Sequence, residues 1–127
     1  MTAIIQETQK RPSTIEPYFR ELYEQIVQEM PKVDPKLLIR IMMFEVSLKN
    51  YPGPDIPHVH LDVYYKDGVD LRQKQEEGRD KYPIEITESR WGERVIFSGL
   101  MGVRHVEKVC SDPDILKVEG KAVPNHN

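Results

Sequence analysis

An α+β fold, with an N-terminal helix packed on a mainly antiparallel sheet of four to six strands, is what this sequence predicts. Three observations predict it. Ile15, Phe19, Leu22, Ile26 and Met30 recur at three and four residues, the period of one helix face. His58 to Tyr65 alternates strictly between polar and apolar, the period of a strand with one face covered. From Tyr82 onward, short apolar runs are separated by Gly, Pro, Ser and Asp, and turns that short join antiparallel neighbours.

The 127 residues fall within the size of one domain. Residues 1–12 are expected to form a mobile arm, 13–123 the single α+β domain and 124–127 a tail. The helix is expected from about Thr14 to Met30. Ser13-Thr14-Ile15-Glu16 has the spacing of a capping box, in which hydroxyl and carboxylate satisfy free helix N–H groups reciprocally. Pro17 sits in the first turn and Pro31 ends the run. The Ile15–Met30 stripe is read as core. Tyr18, Tyr23 and Val27 lie off it and give the helix a second, partly apolar face, which predicts a homodimer.

Asp34-Pro35 is an N-cap and N1 pair. The run from Leu37 to Lys49 is ambiguous, apolar all round at first and alternating in its second half. The β-rich Ile, Phe and Val tip the reading to one helical turn at 35–37 and a central strand through Lys49. A single helix through Leu48 is the competitor. Asn50 to Pro57, with three prolines and a glycine, is a loop. The strand His58–Tyr65 follows and closes at Lys66-Asp67-Gly68. Residues 69–81 carry many charges and few apolar groups. They predict a long exposed connection, with at most one or two helical turns ending at Gly78, serving either as a solvated loop or as a binding loop. Ile84 to Leu100 is a hairpin turning at Arg90-Trp91-Gly92-Glu93. Val103–Cys110 is read as the next strand, Ser111-Asp112-Pro113-Asp114 as a turn, and Ile115–Ala122 as the last strand.

Composition narrows the function classes. A net charge of −3 gives no general attraction to nucleic acid or to anionic membrane. A single cysteine, Cys110, excludes an intramolecular disulfide and fits a reducing compartment. No apolar run approaches the ~20 residues that span a bilayer, and the N-terminus lacks the apolar core of a signal peptide. The expected location is the cytoplasm. No glycine-rich phosphate loop and no Gly-x-Ser-x-Gly elbow is present, so the common nucleotide and serine-hydrolase chemistries are disfavoured.

Two constellations remain. His58, His60 and Asp62 share one side of the predicted strand, and His105 on a later strand of the same sheet could add a third or fourth ligand; such a set would suit zinc or iron. His58-x-His60-x-Asp62 resembles the first part of the HxHxDH motif of metallo-β-lactamase-type hydrolases, with Val63 in place of the final His and a chain shorter than that fold requires. The HxH string also resembles the first cupin motif, but Tyr64, Tyr65 and Lys66 stand where that motif asks for a glutamate. The sequence supports membership of neither family. The bland reading of the same row is a solvated strand face.

The second constellation is Arg90-Trp91-Gly92-Glu93-Arg94. Trp and Arg are the residues most enriched at binding hot spots, which makes Trp91, Arg90 and Arg94 candidate partner-binding residues. The bland reading has Trp91 folding back to cap the core. Cys110 is read as a buried inert thiol, and the scattered glutamates as outward strand positions. No catalytic constellation is complete, so the reading leans away from an enzyme. The sequence predicts a small binding, regulatory or assembly protein acting through protein–protein contacts, with no cofactor by default. The alternative is a metal-dependent enzyme or metal-binding protein built on the His-x-His-x-Asp row.

Overall fold

β1 (His58–Tyr65) lies inside a four-stranded sheet ordered β2-β3-β1-β4, where β2 is Glu85–Glu88, β3 is Val95–Leu100 and β4 is Ile115–Val123. All three pairings are antiparallel. Among the described residues four helices complete the order: α1 (Ile15–Glu29), α2 (Pro35–Leu48), α3 (Leu71–Lys81) and α4 (Val103–Cys110). The computed structural model describes residues 13–50, 52–53 and 55–124; the expected arm, most of the expected tail, and His126 lie outside the described residues.

The fold class is α+β, as the patterning predicts. β1 to β4 with α3 and α4 form two interleaved β-α-β units around the β2-β3 hairpin, the connectivity called split β-α-β or ferredoxin-like. Alternation in β1 does its work: Val59, Leu61 and Val63 are fully buried on one side. They share one core cluster with Leu38 and Ile41 of α2, Val106 and Val109 of α4, Phe97 of β3 and Val118 of β4. α1 joins the sheet layer through Ile26, a member of the same cluster.

Three sequence expectations are corrected. Residues 38–49 are not a strand; the competing helix is realised as α2, capped by the Asp34 carboxylate, which accepts from the Lys36 N–H at 3.0 Å. Leu37, Leu38 and Ile41 are its buried residues, a helical spacing that the β-branched and aromatic content obscured. Val103–Cys110 is a helix as well. Val103, Val106 and Val109 fall three apart, and the last two are buried. Residues 69–81 are not an open connection, because α3 starts at an N-cap, Asp70, that accepts from the Arg72 and Gln73 N–H groups. Its packing face is Leu71, Gly78 and polar side chains, so it has no hydrophobic period to read. Gln75 and Arg79 both donate to the Ile86 carbonyl oxygen, and Lys74 reaches Asp112 at 3.0 Å and Asp114 at 2.9 Å. A Cβ at Gly78 would stand 2.6 Å from Ile86 Cδ1, so glycine permits this approach of α3 to β2.

The start of α1 also differs in detail. The Ser13 hydroxyl accepts from the Ile15 N–H at 3.1 Å, but Glu16 turns to Arg20 at 2.6 Å instead of closing a capping box. The hairpin turn is built as the sequence implies, with Gly92 at φ +70. Ser89, a buried polar residue, ties it: its hydroxyl accepts from the Glu93 and Arg94 N–H groups, and its own N–H donates to the Arg94 carbonyl oxygen.

Candidate functional site

The uncovered sheet face carries the first candidate row. His58, His60, Asp62 and Tyr64 lie on the same side of β1, as the alternation requires. The His60 Nε2 to Asp62 Oδ1 distance is 3.3 Å. From the residue just before β3, Arg94 Nε donates to the same Asp62 oxygen at 2.8 Å and its guanidinium also pairs with Glu93. Hydrogen bonding to Asp62 raises the Arg94 pKa further above its ordinary value. On the other flank, the Tyr64 hydroxyl donates to Glu119 Oε1 at 3.2 Å, and the Lys117 ammonium lies 4.6 Å from the Tyr64 ring centroid. Partial burial, with the Glu119 carboxylate adding to it, raises the Tyr64 pKa.

This row is a cross-strand ladder of mutually satisfied charges on an open surface. Asp62 is committed to Arg94. His105 does not join it. It sits in the first turn of α4, where its Nδ1 accepts from the Gly102 N–H at 2.9 Å, while Glu45 of α2 accepts from the Val103 N–H at 2.7 Å. Placing His105 on the sheet is thus corrected: α4 carries it off the strand layer. Among the described residues, no three His, Cys, Asp or Glu side chains are grouped so as to hold a metal ion. The sheet is also a single layer of four strands, unlike the eight-stranded double sheet of cupins.

The second candidate separates into two parts. Trp91 does not fold back over the core; it is 76% exposed at the hairpin tip. The Arg90 guanidinium lies 5.3 Å from its ring centroid, so these two form one projecting unit. Arg94 instead reaches Asp62, to which its Nε donates.

The third feature was only half legible. The α1 stripe, read as core, is covered only toward its C-terminal end. Ile26 is buried and Met30 half-buried, but Ile15, Phe19 and Leu22 are exposed. Tyr18, Tyr23 and Val27, read as a second face, flank the same wide apolar face and are exposed too. Outward on α2, Met43 and Val46 are 64% and 68% exposed. Reading 38–49 as a helix would have shown these last two on the side opposite Leu37, Leu38 and Ile41. Between the helices runs a groove of about 670 Å³ lined by Phe19, Tyr23, Ile39, Met43 and Phe44, with Lys36, Arg40 and Ser47 at its polar positions.

Cys110 lines a different cleft, between α1, α2 and α4, and burial pushes its thiol up to about 11. It is protonated at neutral pH, which agrees with an unreactive thiol. Among the described residues no helix is long and apolar enough to cross a membrane. Comparison with known proteins adds no kin. No family model, no curated protein and no solved structure matches this chain.

Proposed function

We propose that this protein acts by binding other proteins, as an assembly or regulatory factor without chemistry of its own, and that self-association is part of that role. The observation that supports this reading is the α1–α2 face. Six large apolar side chains on α1 and two on α2 are at least 36% exposed. Taking about 200 Å² for each such side chain when fully exposed, they offer on the order of 800 Å² of apolar-residue surface. A stable protein interface covers about 800 Å² per partner. The Arg90–Trp91 unit is a second contact, carried on a turn that Ser89 holds fixed and therefore presented at little ordering cost.

The experiment is site-specific photo-crosslinking in the cells that naturally make the protein. A benzophenone side chain placed at Tyr18 or at Met43 should give discrete protein adducts. One placed at Arg72, on the exposed side of α3, should give none. Absence of adducts from both Tyr18 and Met43 would refute the reading.

A further inference from the structure

We propose that the occupant of the α1–α2 face is a second copy of this chain, related by a two-fold axis, with the carboxylates of one α1 set against the cations of its partner's α2. The inference rests on the protein-binding reading above and specifies the partner. Charge complementarity carries it. On α1, Arg20 is held by Glu16 at 2.6 Å, which leaves Glu21, Glu24 and Glu29 without an ion pair among the described residues. On α2 the one carboxylate, Glu45, is turned inward and accepts from the Val103 N–H at the start of α4. The cations of this segment, Lys36, Arg40 and the capping Lys49, are all exposed, and Lys36 and Arg40 line the groove, where Arg40 Nε donates to the Ala122 carbonyl oxygen at 3.2 Å.

α1 therefore carries Glu21 and Glu24 on its polar side and Glu29 beside Ile26, and α2 offers an apolar groove edged by Lys36 and Arg40. A two-fold axis uses each set twice, because in an isologous interface residue i meets j and j meets i. Such rim charges fix register and partner choice while the apolar groups supply the affinity. α1 also has the length for it. Its fifteen residues span about 22 Å, and its N-terminal half presents Ile15 and Tyr18 at 77% and 69% exposure.

The test is a charge exchange read by light scattering and sedimentation equilibrium on the full chain at tens of micromolar. Wild type should have twice the chain mass. Lys36→Glu/Lys49→Glu and Glu21→Lys/Glu24→Lys should each shift to the single-chain mass. Mixed in equal amounts they should regain the double mass, since each variant's unaltered helix then faces the complementary helix of the other. Tyr18→Asp, at a side chain that its own fold leaves exposed, should also be single while keeping the wild-type circular dichroism, so a misfolded charge variant would not remove the test. A monomeric wild type overturns the inference, and so does a mixture that stays monomeric. If the Tyr18 adducts contain only a different protein, the second copy is refuted while the protein-binding reading stands; if neither Tyr18 nor Met43 gives an adduct, both are refuted.

Discussion

Gly120→Ala should be among the most destabilising single-methyl additions in this protein, for a reason that lies entirely in β1–β4 pairing. Gly120 faces Leu61 in the register, with a bulge further along at Tyr64/Tyr65. Its φ of +157 is at the edge of what side chains rarely adopt, and a Cβ there would lie 1.9 Å from the His60 carbonyl oxygen and 3.1 Å from Leu61 Cα. Those are backbone atoms of a strand paired on both sides, so no flexible side chain can swing away. The strand must shift or the pairing must open. Overpacking of this kind costs about 1–3 kcal/mol and the backbone strain about 1–3 more, so roughly 3–5 kcal/mol is expected. A chain of this size has a total stability on the order of 6–19 kcal/mol, and the loss corresponds to a fall in Tm of about 10–20 °C. Urea and thermal unfolding followed by circular dichroism measure it. Gly68→Ala is the control: it adds the same methyl at φ +84 with nothing within 4 Å, so only the conformational strain, about 1 kcal/mol, applies. Equal losses in the two variants would refute the reasoning, because contact with the His60 carbonyl would then contribute nothing.

Iodoacetamide labelling of Cys110 in the native protein should be slow at pH 8 and rise toward a midpoint near 11, and unfolding in urea should release it to an ordinary thiol rate; a native midpoint at an ordinary thiol value would contradict the burial assigned to it. For the Asp112 carboxyl, burial favours protonation, but the Asp114 N–H and the Lys74 ammonium outweigh it and hold the pKa below the usual carboxylate range. A depressed folded pKa stabilises the fold above the unfolded value, about 3.9, and that stability is lost as pH falls through the folded value. Asp112→Asn should therefore lose on the order of 1 kcal/mol at pH 7, and the gap to wild type should close below about pH 4; urea titrations at the two pH values decide. Trp91→Ala should change stability by less than about 0.5 kcal/mol, and the single tryptophan should be fully quenched by acrylamide; a blue-shifted, protected emission in the isolated chain would contradict its exposure.

The sequence alone determined what period and punctuation can encode. β1 was legible because alternation sorts Val59, Leu61 and Val63 from His58, His60 and Asp62 without reference to any neighbour. The β2–β3 hairpin was legible because Gly92 and the flanking alternation mark a turn locally. α1 was legible because a long amphipathic stripe admits one reading. Tertiary structure alone decided the rest. Short apolar runs such as Leu37–Leu48 and Val103–Cys110 fit strand or helix until the sheet they cover is in place, and the completed four-strand sheet makes both of them helices. α3 has a single apolar packing residue, Leu71; Gly78 and polar side chains bonded to the Ile86 carbonyl do the rest, an arrangement with no periodic signature. Whether an apolar stripe is core or contact surface is likewise not a property of the helix that carries it. Ile26 and Ile15 lie on the same face of α1, and only the position of α2 and the sheet beneath leaves one buried and the other open to a partner.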